Sequence, residues 1–95
     1  MISIVIPTFN EVENIIPLLK DLNSIVNNFE FEIIVVDDDS PDGTSDEVNK
    51  YMKFNKRIKL ITRIGRSGLS SAIKEGLIFS QGNYSLVLDG DGQHH

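Results

Sequence analysis

The sequence predicts a single α/β domain, built on a parallel sheet of about four strands with helices on both faces. Apolar runs typical of buried strands alternate with segments whose apolar residues recur at helical spacing. Each apolar run is followed by a polar or glycine-containing turn, as at the carboxyl ends of strands in open α/β sheets. The length of 95 residues, 40% of them hydrophobic and 24% charged, fits one globular domain.

Composition excludes several classes of protein. The formal net charge of −5 argues against a nucleic-acid backbone as the main partner. The chain has no cysteine, which excludes disulfides and thiolate metal sites. No apolar run approaches the roughly 18 residues of a membrane span, and the N-terminus lacks a signal-peptide pattern. We therefore expect a cytoplasmic domain, residues 1–95, and an incomplete one, because the sheet has no predicted strand after its acidic turn.

The first predicted strand covers residues 2–6 and ends at Pro7. Apolar residues then recur at helical spacing between residues 12 and 26. Pro17 lies inside this segment and removes one helical hydrogen bond. We therefore expect either an irregular first turn or a regular helix that begins near Asn14.

Three more strands and two helices follow. The strands are predicted over residues 32–36, 58–62 and 84–88, and the helices carry apolar residues over 48–52 and 69–77. Polar residues that favour helix caps precede the helices. The expected caps are Thr8 or Asn10 for the first helix and Thr44 or Ser45 for the second.

Loops that are distant in sequence are expected to meet at one edge of this sheet, because parallel strands end on the same side. These loops are residues 7–11, 37–42, 63–68 and 89–93. Arg63 and Arg66 offer planar donors that suit phosphate oxygens. The helix that follows Gly68 offers backbone N–H groups to an anion. The edge therefore gathers carboxylates and arginines in one crevice.

Acidic residues follow two of the strands. Asp89 and Asp91 flank Gly90, and paired carboxylates suit a hard cation such as Mg²⁺ or Mn²⁺. Asp37 or Asp38 either accepts hydrogen bonds from a nucleobase or caps the following turn. An isolated Asp-Gly-Asp is more often an ordinary turn, so the convergence of the loops carries the metal prediction.

Four segments, in this order and spacing, resemble the family 2 glycosyltransferases, most closely their dolichyl-phosphate (polyprenyl-phosphate) mannose synthase branch. The segments are residues 6–14, 35–44, 68–72 and 89–94. The resemblance implies a GT-A, Rossmann-like nucleotide-binding half. It also implies a nucleotide-sugar donor, with GDP-mannose favoured, a Mg²⁺ or Mn²⁺ ion, a polyprenyl phosphate lipid acceptor and inverting transfer.

The resemblance also implies site residues. Pro7, Phe9 and Glu11 would line the nucleotide pocket, and Val36 and Asp38 would hold the base and ribose. The DXD-type site would consist of Asp89, Gly90, Asp91 and Gln93, with Asp89, Asp91 and Gln93 as metal ligands. No catalytic base is assigned. Gly90 departs from the alanine common at its position, and Asp39 stands where many members have glycine or asparagine.

Other functions stay open. The chain could be a UDP-sugar transferase of the same family that builds a polysaccharide or modifies another acceptor. It could instead be a truncated, non-catalytic chain that self-associates through its open sheet edge. A receiver-like signalling domain also holds Mg²⁺ with acidic strand ends. Such a domain needs a phosphate-accepting aspartate at the end of its third strand, whereas here that strand ends in Thr62 and Arg63. For an enzyme with a lipid acceptor we expect the cytoplasm or the cytoplasmic face of a membrane.

Overall fold

The computed structural model describes residues 1–25 and 29–90, in which four strands alternate with three helices. The strands are β1 (Ile2–Thr8), β2 (Phe31–Asp37), β3 (Ile58–Thr62) and β4 (Tyr84–Val87), and the helices are α1 (Val12–Ile25), α2 (Thr44–Met52) and α3 (Leu69–Phe79). The strands pair in parallel in the order β3-β2-β1-β4. The predicted α/β class is confirmed.

Helices cover both faces of the sheet. On one face, apolar residues of β1 and β2 such as Ile6 and Val35 pack with Leu19 of α1 and Val48 of α2. On the other face, α3 packs on a smaller cluster that consists of Val5, Ile34, Val36 and Ala72. Because β1 and β2 are buried on both sides, their sequences are nearly continuous apolar runs.

β1 continues through Pro7 to Thr8, two residues beyond the predicted last residue, Ile6. The pairing of β1 with β4 ends at Val5 and Val87, whereas its pairing with β2 continues to Thr8. The Thr8 carbonyl accepts a hydrogen bond from the β2 side, so the backbone of the preceding Pro7 points to the β4 side. The N–H that proline lacks would lie beyond the end of β4, so no ladder hydrogen bond is lost.

α1 begins at Val12 and runs through Pro17, so the predicted start near Asn14 is not observed. Pro17 is exposed, whereas the neighbouring Leu18 is buried. Glu13, whose carbonyl loses its helical partner to this proline, is also exposed. Water can therefore satisfy that carbonyl, which lowers the cost of proline inside the helix.

Glu32 ties together the amino ends of the strands, on the edge opposite the predicted crevice. It is 2% exposed, and its carboxylate accepts hydrogen bonds from the Ser3 hydroxyl, the Lys59 ammonium and the Gln81 backbone N–H, each at 2.6 Å. Burial alone would raise the pKa of Glu32. The hydrogen bonds from Lys59, Ser3 and Gln81 outweigh burial and hold the pKa below its ordinary value of 4.5.

The stability contributed by Glu32 should depend on pH. Because its pKa is lower in the folded chain, its carboxylate stabilises the fold above pH 4.5, and this is lost as the pH falls through the folded-state pKa. We expect Glu32→Gln to lower the free energy of urea unfolding by about 1.5 to 3 kcal/mol at pH 7. The difference from wild type should shrink at pH 3. The exposed Glu30→Gln variant is the control, and a gap that does not change with pH would contradict the assignment.

The β4 edge of the sheet is apolar and open among the described residues. All four residues of β4 are exposed, and no residue from Gly76 to Leu88 is charged. Exposed apolar side chains continue from β4 into the end of α3. They are Leu77, Ile78, Phe79, Tyr84, Leu86 and Val87.

Candidate functional site

Loops at the carboxyl ends of the strands enclose a cavity of about 530 Å³, at the edge of the sheet where sequence reasoning placed a site. Six of the predicted site residues line it, from the ends of β1, β2 and β4. The lining residues are Pro7, Thr8, Phe9, Glu11, Asp38, Ser67, Gly68, Leu69, Ala72, Asp89 and Gly90.

Two large apolar side chains of the cavity are exposed. Phe9 is 56% exposed and Leu69 is 61% exposed, so both offer apolar surface to whatever enters. Sequence reasoning named Phe9 but missed Leu69, because an apolar residue at the start of an amphipathic helix is ordinarily read as core. Leu69 could have been identified from its position directly after Gly68, at the sheet edge where the strand-end loops were predicted to meet.

Asp38 lies at the cavity with both carboxylate oxygens engaged. Arg63 donates to one oxygen through Nε at 2.7 Å and to the other through an NH2 group at 3.3 Å. The Gly68 backbone N–H donates to the second oxygen at 3.0 Å. The side chain of Arg63 is 1% exposed and that of Asp38 is 10% exposed. Arg63 therefore fixes Asp38 and, through it, the start of α3.

The two arginines lie beside the cavity and contact acidic side chains of the protein itself. Arg63 also donates to the Gly68 carbonyl at 3.2 Å and lies 3.8 Å from a carboxylate oxygen of Glu75. Arg66 is bound to Glu75 in a short ion pair. Both line a shallower depression beside the cavity, and neither lines the cavity itself. Their contact with phosphate stays a prediction.

Val36 does not line the cavity. Its side chain is fully buried in the core under α3. The geometry thus gives Val36 a packing role, and its predicted contact with a nucleotide stays a prediction.

The three consecutive aspartates have separate roles. Asp37 is fully buried and accepts hydrogen bonds from the hydroxyls of Thr8, Ser40 and Ser45 and from the Ser40 N–H. It therefore organises the loop. Asp38 faces the cavity, whereas Asp39 is exposed with a left-handed φ of 54°.

Sequence reasoning expected Thr8 or Asn10 to cap the first turn of α1, but neither side chain does so. The Thr8 hydroxyl donates to Asp37 instead. The N–H groups of residues 10–12, which lead into α1 at Val12, donate to side chains of the β2–α2 loop, which is residues 38–43, and of the adjoining Thr44. α2 likewise has no side-chain cap on Gly43, and Asp42 accepts the Thr44 N–H at 3.0 Å. Burial would raise the pKa of Asp42, but hydrogen bonds from Thr44 and Val12 lower it below its ordinary value.

The turn after β4 packs closely against the β1–α1 loop. A Cβ added at Gly90 would lie 2.7 Å from the Thr8 methyl, 3.1 Å from Glu11 Cγ and 3.2 Å from the Pro7 carbonyl oxygen. Glycine therefore allows this close approach, which brings the Asp89 turn beside Glu11. Asp91 and Gln93, the other predicted metal ligands, lie outside the described residues.

The cavity fits a hard divalent cation by the chemistry of its lining. Asp89 and Glu11 contribute carboxylates to the same cavity, and Mg²⁺ and Mn²⁺ prefer oxygen ligands. Within residues 1–25 and 29–90, no group of three or more Asp, Glu or His side chains is arranged to hold a metal ion.

The amino end of α3 opens on the cavity without a side-chain cap. Its N-cap residue is Gly68, with a φ of 123°, and both Gly68 and Leu69 line the cavity. Backbone N–H groups at an uncapped helix start carry partial positive charge. This end of the cavity is therefore suited to an anion, as predicted for the segment after Gly68.

Comparisons with known proteins agree on one family. The family model described as "Glycosyl transferase family 2" matches residues 3–95. The chain is 38% identical over 93 residues to a dolichol-phosphate mannosyltransferase of Pyrococcus furiosus, with 98% of the chain and 26% of the relative covered. It is 34% identical to a dolichol-phosphate mannosyltransferase of Saccharomyces cerevisiae, covering 97% of the chain and 36% of the relative. A dolichyl-phosphate beta-glucosyltransferase of Dictyostelium discoideum is 31% identical, with 96% and 31% covered.

Solved structures share the fold. A mannosyltransferase from Pyrobaculum calidifontis, in complex with GDP-Man and Mn²⁺, has a TM-score of 0.82 at 25% identity, covering 95% of this chain and 27% of that chain. TarS of S. aureus, in complex with UDP, has a TM-score of 0.74 at 28% identity, with 95% and 27% covered. The chain thus spans about a quarter to a third of the length of these relatives and structures.

Proposed function

Since the chain belongs to glycosyl transferase family 2, we propose that its cavity binds a nucleotide-diphosphate sugar, with GDP-mannose favoured over UDP-sugars. The enzyme built on this domain would transfer the sugar to a polyprenyl or dolichyl phosphate. One observation carries the proposal: the cavity lies at the carboxyl edge of a sheet whose fold matches a GDP-Man-bound mannosyltransferase at a TM-score of 0.82.

The lining of the cavity divides into regions that suit the parts of such a donor. Phe9 and Leu69 supply apolar surface for a base and ribose. Asp38, held in place by Arg63, supplies a fixed acceptor for N–H groups of a base. The uncapped start of α3 supplies N–H groups for the diphosphate.

A divalent cation, Mg²⁺ or Mn²⁺, would complete the donor site. Asp89 is the described residue we assign to it, together with Asp91 and Gln93, and Glu11 lines the same cavity. When bound, such an ion neutralises negative charge that develops on the departing nucleoside diphosphate. The carboxylates of this chain would hold it and orient the diphosphate toward α3.

The acceptor is the part of the proposal on which the relatives' names agree. All three are named for dolichol or dolichyl phosphate, whereas the sugar is mannose in two and glucose in one. A phosphate acceptor is already anionic, so it needs little help from a catalytic base. We propose direct displacement with inversion, and no residue of this chain is assigned as the base.

We also propose where such an enzyme acts and how the isolated chain behaves. No helix among the described residues is long and apolar enough to cross a bilayer. A lipid acceptor requires contact with a membrane, which we place at its cytoplasmic face. The open apolar edge at β4 favours pairing between copies of the isolated chain when nothing else covers it. Analytical ultracentrifugation of the sample measures its mass and therefore detects such pairing.

Calorimetric titration tests the donor site. We expect GDP-mannose to bind the chain in the presence of Mn²⁺ and to lose affinity when the metal is chelated. Asp91→Asn and Asp89→Asn should each weaken binding about tenfold or more, because each removes a charged oxygen ligand. Asp46→Asn, which removes an exposed charge from α2, is the control and should leave the affinity unchanged.

The same titration with UDP-glucose separates the two donor classes. Binding of UDP-glucose without binding of GDP-mannose would transfer the proposal to the UDP-sugar enzymes of the family. A folded sample that binds neither donor, with or without Mn²⁺, would refute donor binding by these 95 residues.

A further inference from the structure

The start of α1 is held by side chains from another loop. The backbone N–H groups of residues 10–12 donate, in order, to the Ser40 hydroxyl at 2.9 Å, the Thr44 hydroxyl at 3.1 Å and the Asp42 carboxylate at 3.1 Å. An ordinary N-cap side chain, on the residue that precedes the helix, accepts one N–H, that of the second or third helical residue. Here three consecutive groups are satisfied across about 30 residues of sequence.

Asp42 is the residue that connects this set of hydrogen bonds. Its Oδ2 accepts the Val12 N–H, while its Oδ1 accepts both the N–H and the hydroxyl of Thr44. The Thr44 hydroxyl donates to Asp42, so its lone pairs are left to accept the Glu11 N–H. Thr44 is fully buried, which restricts the alternatives open to its hydroxyl.

The segment held in this way forms a wall of the cavity. Phe9 and Glu11 line the cavity, and Asn10 between them has a left-handed φ of 55°. A residue other than glycine adopts this conformation infrequently and at a cost in energy. The hydrogen bonds from residues 10–12 to the β2–α2 loop and Thr44 stabilise it.

The position of Glu11 also bears on the acidic turn after β4. A Cβ at Gly90 would lie 3.1 Å from Glu11 Cγ, so the two loops are in close contact. A shift of Glu11 would therefore move the surface against which the Asp89 turn packs. Asp42 itself does not line the cavity, so any influence on binding must pass through residues 9–12.

We propose that Asp42 is a positioning residue for the cavity, acting through Thr44 and the Val12 N–H to hold residues 9–12 in the shape that lines it. The structural part of this inference stands on the hydrogen bonds alone. Its effect on nucleotide affinity rests on the proposed function, so the test measures the two separately.

The isosteric variant Asp42→Asn gives the sharpest test. Asparagine has one acceptor oxygen, whereas Asp42 uses one oxygen for Thr44 and the other for Val12, so one side must be lost. We expect hydrogen exchange at the Glu11 or Val12 amide of the 95-residue chain to accelerate at least tenfold. Exchange at residues 33–36 of β2 should not change. Asp46→Asn, the matched loss of an exposed charge on α2, should alter neither.

Two variants at Thr44 test whether the hydroxyl transmits the effect. Thr44→Val keeps the shape and removes the hydroxyl, and it should accelerate exchange at the Glu11 amide. Thr44→Ser keeps the hydroxyl and should restore wild-type exchange there. With GDP-mannose and Mn²⁺ as the probe, Asp42→Asn and Thr44→Val should weaken binding about tenfold, and Thr44→Ser should bind as wild type does.

The outcomes separate the inference from the proposed function. Unchanged amide exchange in Asp42→Asn would overturn the inference, whatever the nucleotide does. Faster exchange with unchanged nucleotide affinity would also overturn it, because the wall would then move without consequence. If wild type binds no nucleotide, the proposed function fails, while hydrogen exchange at the Glu11 and Val12 amides in Asp42→Asn still decides whether Asp42 positions the wall.

Discussion

Replacing Arg63 with methionine is expected to lower the free energy of unfolding by about 3 to 5 kcal/mol, the cost of breaking a buried ion pair from one side. Arg63 is 1% exposed and donates to both oxygens of Asp38 and to the Gly68 carbonyl. Without the guanidinium, the Asp38 carboxylate would stay largely buried with no cation beside it. Such a loss is a large share of the stability of a small domain.

The control for this experiment lies three residues away. Arg66 belongs to the same loop and also pairs with Glu75, but its side chain is 61% exposed. Arg66→Met should change the free energy of urea unfolding by no more than about 1 kcal/mol. Adding Asp38→Asn to Arg63→Met should recover part of the stability, because it removes the unpaired charge. Equal losses in the two arginine variants would show that Arg63 is not the buried partner described here.

Replacing Gly76 with alanine is expected to destabilise the chain by about 1 to 3 kcal/mol, although alanine is the better helix former by about 1 kcal/mol. Gly76 lies in α3 against the sheet. An added Cβ would lie 2.4 Å from Val5 Cγ1 and 3.2 Å from Val36 Cγ2. Both valines are fully buried on central strands, so they have little room to move.

A compensating change distinguishes overlap from any other effect at Gly76. Val5→Ala removes the methyl group closest to the added Cβ. The double variant should therefore be more stable than the sum of the two single changes predicts, by about 0.5 to 3 kcal/mol in a double-mutant cycle. Chemical unfolding measures all four forms. A Gly76→Ala variant that is more stable than wild type would show that helix propensity outweighs the steric overlap.

The order of elements could be predicted because the apolar patterns are local. Alternating runs and helical periodicities lie within single segments, so α/β alternation and the convergence of the strand-end loops followed from the sequence. The end of β1 was misplaced because Pro7 breaks a ladder only where a partner strand is present, and β4 stops short of it. The residues that determine where β4 ends lie about 80 residues from Pro7, so no local pattern around Pro7 indicates it.

The same limit explains what was missed at the cavity. Arg63 was interpreted as a phosphate contact because of its planar donors, and that contact stays a prediction. Its burial against Asp38 was not foreseen, because Asp38 lies 25 residues earlier in the chain. Asp42 and Thr44 were interpreted as turn and cap residues of their own helix. Their side-chain oxygens also accept hydrogen bonds from backbone N–H groups at the start of α1, about 30 residues earlier. This pairing is visible only in the folded structure. Phe9, which lines the cavity, was named through the family resemblance. Asp38, which also lines it, was first named with Asp37 as a strand-end acceptor.

The central position of β1 has a consequence for synthesis of the protein. β1 pairs with β2 and β4, yet the ribosome makes β4 only after it has made α1, β2, α2, β3 and α3. β4 ends about 80 residues after β1, so at about 5 to 20 residues per second one edge of β1 has no partner strand for roughly 4 to 16 s. During that interval the nascent chain exposes an apolar strand edge in the middle of its future sheet. Chaperones that bind extended apolar segments can bind β1 during this interval, and the pairing of β4 with β1 ends their access.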